Sequence, residues 1–124
     1  MDKSSYFYRT LVYKREDDKI LLIDKEKLDQ TIPLDPWLGQ VVSLADGQHT
    51  IEQLIDYLGH QYQETPPDNL KETIESVLDR LLESKAIALS DVPYKLPYYL
   101  AVPQEEQNQV AAMEMMVQDG FLKH

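Results

Sequence analysis

The chain has 124 residues and no cysteine, and 12 lysines and arginines against 22 aspartates and glutamates give it a net charge of -10. This length corresponds to one main domain, and the lack of cysteine excludes disulfides, iron–sulfur ligation and thiolate zinc sites. DNA and membrane surfaces repel so acidic a chain, and no apolar run approaches the roughly 20 residues that cross a bilayer. We therefore expect a cytoplasmic protein that binds neither nucleic acid nor membrane.

The first third of the chain predicts three strands. Residues 6–13 are rich in aromatic and β-branched side chains, and residues 20–23 form an apolar run that we interpret as the return strand after a turn at Asp17-Asp18. A period of two predicts a third strand over 28–34, where Asp29, Thr31 and Pro33 alternate with Leu28, Gln30, Ile32 and Leu34. Proline has no N–H to donate, so Pro33 predicts that this strand lies at a sheet edge.

Helical spacing follows the third strand. Asp35 is predicted to cap the first helix, with Pro36 at its first position and Gly47 ending it in the left-handed conformation. Thr50 and Gln53 predict a capping box for the second helix. A third helix over 68–84 has apolar residues on one face and charged residues on the other, and residues 85–89 predict a short strand or wing.

The composition changes after Asp91. Three prolines and three tyrosines over 92–103 predict extended backbone, and a last helix over 105–118 places Val110, Met113 and Val117 on one stripe before Gly120 ends it. We predict an α+β, winged-helix-like domain over 1–90, in which a three-stranded antiparallel sheet packs on three helices. Residues 91–124 form a C-terminal extension made of an extended arm and an amphipathic helix.

Patterns typical of catalysis are not evident. The three histidines have no partner four residues away, and the four glycines form no phosphate-binding loop. The carboxylates of the third helix are expected to be solvated rather than to form an acid/base pair. Trp37, the one tryptophan, is either a core anchor or part of a partner groove. We expect no catalytic residue, no metal, no cofactor and no enzyme activity.

The block from Leu34 to Leu58 resembles the PqqD-like family, whose members are also called RiPP recognition elements. The similarity covers residues 6–90 and continues through Tyr62 to the closing Lys85-Ala86-Ile87. Asp35 replaces the asparagine usual in the family, Trp37-Leu38-Gly39 replaces smaller residues, and residues after 91 lie outside the pattern. The residues that carry the resemblance are Leu34, Asp35, Val41, Leu44, Asp46, Gly47, Thr50, Ile51, Glu52, Gln53, Leu54, Ile55, Leu58, Leu70, Ile74, Val77, Leu78, Leu81 and Leu82.

The resemblance implies a non-catalytic recognition module. Such domains bind the leader region of a ribosomally synthesised precursor peptide and present it to a modifying enzyme, such as a radical SAM maturase. The leader adds as a strand to the edge of the third strand and lies against the third helix, here residues 28–34 and 68–84. The peptide-binding residues predicted on this basis are Leu28, Gln30, Thr31, Ile32, Leu34, Trp37, Lys71, Ile74, Glu75, Leu78 and Arg80.

Two alternatives stay open at this point. A winged-helix DNA-binding regulator has a similar order of elements, but helix 68–84 carries only Lys71 and Arg80 among five acidic residues, which disfavours contact with DNA. The C-terminal extension is predicted either to mediate a homodimer or to occupy the peptide groove in place of the leader.

Overall fold

The computed structural model describes residues 2–24, 27, 30–62 and 67–122, which form an α+β fold with two three-stranded antiparallel sheets and five α-helices. The predicted α+β class is confirmed. No helix in these ranges is long and apolar enough to cross a membrane. The elements are β1 (Tyr6–Arg9), β2 (Tyr13–Glu16), β3 (Lys19–Ile23), β4 (Thr31–Pro33), α1 (Pro36–Leu44), β5 (Asp46–Thr50), α2 (Ile51–His60), α3 (Leu70–Glu83), β6 (Ile87–Ser90), α4 (Tyr98–Ala101), a 3₁₀ turn (Gln104–Glu106) and α5 (Gln109–Gln118).

The strand predicted over residues 6–13 is two strands that belong to different sheets. One sheet has the order β5-β1-β6 and the other the order β2-β3-β4, so the predicted three-stranded antiparallel sheet is present as β2-β3-β4, and the sequence did not predict the second sheet. The chain leaves the first sheet at Thr10, whose N–H donates at 3.0 Å to the O of Ala86, the residue just before β6 begins. Aromatic and β-branched residues continue through this break, so composition gave no sign of it.

The hairpin predicted around Asp17-Asp18 is present. β2 and β3 pair from Glu16 opposite Lys19 to Tyr13 opposite Leu22, and Asp17 takes the turn with a φ of +55°. β4 then pairs antiparallel with β3, with Ile32 opposite Leu22. Among the described residues β3 is the one neighbour of β4, so β4 is an edge strand as Pro33 predicted.

α1 and α2 begin where the sequence predicts, but α1 does not end where the sequence predicts. The capping box is confirmed, since Gln53 N–H donates to Thr50 Oγ1 and Thr50 N–H to Gln53 Oε1. Pro36 begins α1, but the Asp35 side chain makes no capping bond. Gly47 does have a φ of +78°, yet it lies inside β5, and α1 ends two residues earlier at its C-cap Ala45.

The main core lies between the helices and one face of each sheet. Gly39 allows α1 to pack closely on β3, because a Cβ there would lie 3.0 Å from Ile20 Cβ. Burial of the apolar side chains on these faces is the main stabilising term of such a fold. The buried cluster consists of Phe7, Tyr13, Leu22, Val41, Val42, Ala45, Ile51, Leu54, Leu58, Leu70, Ile74, Val77, Leu78, Leu81, Ala86 and Ile87.

A second, smaller core joins the C-terminal extension to the opposite face of the β2-β3-β4 sheet. Ile23 is adjacent to Leu22 in β3 and points to the other side, since successive strand residues alternate between faces. The extension is extended up to Pro97, but α4 interrupts the extended backbone predicted over 92–103. This second cluster consists of Val12, Ile23, Leu96, Tyr99, Leu100, Ala112 and Met116.

The buried face of α5 differs from the predicted stripe. Ala112 and Met116 are buried, whereas Val110 is 71% and Met113 44% exposed. α5 has apolar residues on most of its sides, so residue spacing alone did not specify which face packs. Gly120 ends the helix with a φ of +76°, as predicted.

Candidate functional site

A groove runs between β4, the start of α1 and the side of α3. Its first part, the apolar compartment, has a volume of about 430 Å³ and an aliphatic floor that continues the main core. Ile32 from β4 and Leu38 from α1 form one wall, and α3 forms the other. The residues that line the apolar compartment are Leu11, Leu22, Ile32, Leu34, Leu38, Arg80, Leu81, Glu83, Ser84 and Ala86.

The second part of the groove, the acidic compartment, extends toward the start of α3 and has a volume of about 410 Å³. Leu38 and Arg80 line both compartments, so the two are continuous. Polar side chains replace the aliphatic floor here, and Trp37 forms one side. The residues that line the acidic compartment are Asp35, Trp37, Leu38, Asn69, Glu72, Thr73, Ser76, Val77 and Arg80.

The outer edge of β4 has backbone groups that no described residue pairs with. Leu34 N–H donates to Ile20 O at 3.3 Å and Gln30 O accepts from Asp24 N–H at 3.1 Å, so every second residue from Gln30 to Leu34 turns its backbone groups toward β3. Thr31 and Pro33 therefore turn theirs away from β3. This edge presents the N–H and C=O of Thr31 and the C=O of Pro33, which is the pattern that an added strand uses.

The side chains of β4 are also accessible. All three of its residues are exposed, and Ile32 is 44% exposed although it pairs with the buried Leu22. Ile32 and Leu22 both line the apolar compartment. β4 is three residues long and contains Pro33, two features by which natural edge strands limit nonspecific pairing, so its edge offers only a short stretch for an added strand.

Four of the predicted binding residues line the groove, namely Ile32, Leu34, Trp37 and Arg80. Thr31 lies on the open edge of β4. Gln30 precedes β4, and its backbone bonds with Lys27 and Asp24. Leu28 lies outside the described residues.

The other four predicted residues are not in the groove, which corrects the predicted contact face of α3. Ile74 and Leu78 are fully buried in the main core. Glu75 forms an ion pair with Lys3 at 3.4 Å, and Lys71 also lies beside Lys3, whose proximity lowers the pKa of Lys71. Because these four residues are three or four positions apart, they lie on one side of α3, which faces the core and the N-terminal turn.

Sequence reasoning missed the face of α3 that does line the groove. Its residues are Glu72, Thr73, Ser76, Val77 and Arg80, which also share a 3- and 4-residue spacing. The apolar stripe identified the core face correctly, and the groove begins at its margin with Val77 and Leu81. The signal that would have found the site is the small, polar run Thr73 and Ser76 beside that stripe.

The groove carries an excess of negative charge. Asp35, Glu72 and Glu83 line it, against Arg80 as the cation. The ion pairs among the described residues involve other side chains, at Lys3–Glu75, Lys14–Glu16, Arg15–Glu105, Arg15–Glu106 and His49–Asp46. Among the described residues none of the three groove carboxylates takes part in one of these ion pairs, although Glu72 interacts electrostatically with its neighbour Lys71.

The C-terminal extension does not fill this groove. The lining residues of both compartments lie between residues 11 and 86, so the expectation that the extension replaces the leader there is wrong for the described residues. Instead the arm lies along β5 and β1. Tyr94 N–H donates to Gly47 O at 2.8 Å, and the Tyr94 ring stacks on Tyr8 with centroids 4.2 Å apart.

A separate pocket of about 240 Å³ lies between β5 and α2, where His49 Nδ1 and Asp46 Oδ1 are 3.1 Å apart. Both side chains are largely solvent-exposed. In the described part of the chain no three histidine, cysteine or acidic side chains come together in a way that would hold a metal ion.

Comparison of the chain with protein-family models, curated proteins and solved structures found no match. The groove and the β4 edge are therefore interpreted from their own geometry.

Proposed function

We propose that this protein is a non-catalytic recognition module that binds an extended peptide by strand addition to β4. In this proposal the peptide is the leader region of a ribosomally synthesised precursor, and the module presents it to a peptide-modifying enzyme, such as a radical SAM maturase, in the cytoplasm. The observation that carries the proposal is the open edge of β4 directly beside a groove bounded by α3.

Strand addition fits the dimensions of this site. A strand that pairs with β4 would lie about 4.8 Å from it, and alternate side chains would point to the same face as Ile32. That face leads into the apolar compartment. Main-chain hydrogen bonds to Thr31 and Pro33 would supply affinity with little dependence on sequence, and the groove would select side chains.

The resemblance to the PqqD-like family supports the same pair of elements. The resemblance implies that a leader lies between the third predicted strand and the third predicted helix, which correspond to β4 and α3. The proposal also includes that residues 1–90 form a winged-helix-like domain. The support from the structure is independent of the resemblance, because it rests on hydrogen-bond direction and on the lining of the groove.

The experiment uses the tryptophan of the groove as the reporter. Trp37 is the one tryptophan in the chain and lines the acidic compartment, so its emission should shift when a peptide occupies the groove. The full-length protein is titrated with the leader peptide encoded beside its own gene. We expect a dissociation constant below about 100 µM, which corresponds to roughly 5.5 kcal/mol of binding free energy.

A matched pair of variants tests the binding mode. Thr31→Pro removes the outward N–H without removing a bond to β3, whereas Thr31→Val keeps that N–H and loses the same hydroxyl. We expect Thr31→Pro to weaken leader binding by about tenfold or more and Thr31→Val to change it little. Equal affinities for the two variants would contradict strand addition, and no binding by the wild-type chain would contradict the proposed function.

The proposal also includes a homodimer formed through the C-terminal extension. Its contact surface would be the exposed side of α5, where Val110 and Met113 lie and where Glu114 is the one charged residue of the helix. Low charge matters here because two copies of a chain with net charge -10 repel each other elsewhere. We expect sedimentation equilibrium to show a dimer for the wild type and a monomer for Met113→Glu. A monomeric wild type would remove this part of the proposal.

A further inference from the structure

The groove changes its chemistry along α3, from aliphatic near β4 to acidic near Trp37. We propose that it selects peptides that carry an apolar side chain beside β4 and a lysine or arginine about four residues away, at the Trp37 end. This inference rests on the proposed function and adds to it the chemical class of the ligand.

Charge complementarity identifies the basic residue. Asp35 lies just before α1 and Glu72 in the first turn of α3, and both line the acidic compartment. No described residue forms an ion pair with either carboxylate. A lysine or arginine of the ligand would meet two carboxylates from opposite walls, which favours a cation over a neutral or acidic side chain.

Trp37 adds a second reason to expect a cation at this end. Its indole is half-buried and forms one side of the acidic compartment. A cation over an indole face is stabilised by the ring quadrupole, and the aliphatic stem of lysine or arginine covers apolar surface on the way. The protein's own groove cation, Arg80, lines both compartments, so the acidic compartment has two carboxylates against one guanidinium and keeps a net negative charge.

The length of α3 sets the spacing between the two side chains. Leu81 lines the apolar compartment and Thr73 the acidic one, and eight residues of helix separate them by about 12 Å. An extended peptide rises about 3.3 Å per residue, so about four residues cover this distance. Side chains four apart in a strand point to the same face, which is the condition for both to enter the groove.

The test begins with a random 12-residue peptide library displayed on phage and selected on the full-length protein. Selected sequences are synthesised and titrated against the Trp37 emission. We expect an apolar residue and a lysine or arginine about four positions apart to recur, and replacement of that basic residue by glutamine to weaken binding roughly tenfold. Added salt should reduce the difference, because the ion pair is partly screened.

A double-mutant cycle then locates the basic residue. In a chain with Asp35→Asn and Glu72→Gln, the same replacement in the peptide should change affinity less than twofold. Asp56→Asn, an exposed position of α2 that lines neither compartment, is the control and should leave the tenfold effect intact.

The outcomes separate the two proposals. Selected peptides that bind the wild type and lose affinity with Thr31→Pro, but that contain no recurring basic residue, would overturn this inference and leave the proposed function standing. A basic residue whose effect is the same in the wild type and in the Asp35→Asn, Glu72→Gln chain would also overturn it. If no peptide shifts the Trp37 emission, both proposals fail together.

Discussion

Arg9 is the buried side chain that ties the two cores together. It is 2% exposed, and its guanidinium donates to Val42 O and Ser43 O near the end of α1 and to Leu100 O and Ala101 O near the end of α4. Helix C-termini carry unpaired carbonyls and a partial negative charge, so two of them compensate a buried cation. Burial lowers the pKa of Arg9, yet an arginine stays charged at any accessible pH.

We predict that Arg9→Met destabilises the protein by about 3 kcal/mol or more, because buried carbonyls lose their donor. Arg9→Lys should destabilise the protein less, because the ammonium keeps the positive charge. Some loss should remain, because an ammonium cannot donate to both helix ends as the planar guanidinium does. Urea unfolding of the three proteins measures this order. Equal midpoints for wild type and Arg9→Met would show that water replaces the guanidinium at no cost.

Gly47 is the second residue with a role that its position in the chain did not reveal. Its φ is +78°, and a Cβ there would lie 2.1 Å from Tyr94 O. We predict that Gly47→Ala releases the arm from β5 and lowers stability by about 1–3 kcal/mol, from backbone strain and the lost contact. Gly120→Ala is the control, because Gly120 has a similar φ of +76° but no atom within 4 Å of the added Cβ. The difference in unfolding free energy between the two variants isolates the contact with the arm.

Among the elements, those defined by local hydrogen bonds were predictable. The capping box of α2 and the turn at Asp17 depend on residues within three positions, and both are present. The division of residues 6–13 between two sheets was not predictable, because it depends on pairing with the distant strands β5 and β6. Propensity reports that a segment is extended and carries no information on which strand it joins.

The sequence predicted which elements bound the candidate site, but not which face of α3 lines it. Pro33 indicated that β4 lies at an edge, and the apolar stripe identified the core side of α3. The same stripe led to the inclusion of Ile74 and Leu78, which are fully buried. The lateral position of the groove depends on how α1 packs on β3 through Gly39, a tertiary contact that has no periodic signal.

The 3₁₀ turn is bound to β2 through hydrogen bonds between Arg15 and Glu105, and this contact depends on pH. Burial raises the pKa of Glu105, but hydrogen bonds from Arg15 outweigh this effect and the net pKa is lowered. A carboxyl with a lowered folded pKa stabilises the fold above its unfolded pKa, and this stabilisation is lost as the pH falls through the folded value. We predict that the wild type exceeds Glu105→Gln in unfolding free energy at pH 6 by less than about 1 kcal/mol, since the pair is exposed, and that the difference shrinks as the pH falls below the unfolded pKa of about 4.3.

At the scale of the whole molecule, the C-terminal extension completes the fold on the side opposite the groove. It covers Val12 and Ile23, and α4 supplies two of the carbonyls that hold Arg9. The groove is lined by residues 11 to 86 alone. The C-terminal extension and the groove thus lie on opposite faces of the β2-β3-β4 sheet, so the contribution of the extension to folding and the proposed peptide binding can be tested separately.

Truncation after Ser90 tests this division. We predict that the free energy of unfolding of residues 1–90 is several kcal/mol lower than that of the full chain, because two aliphatic side chains become exposed and Arg9 loses half of its acceptors. This loss is large, since the free energy of unfolding of a domain of this size is only about 5–15 kcal/mol. Circular dichroism with urea unfolding measures the loss, and Met113→Ala in the full chain controls for an exposed α5 side chain. Where the truncated chain still folds, at low temperature, it should bind the leader peptide with unchanged affinity, because no lining residue has been removed. A truncated chain as stable as the full chain would contradict this prediction and would show that residues 1–90 fold without help from the extension.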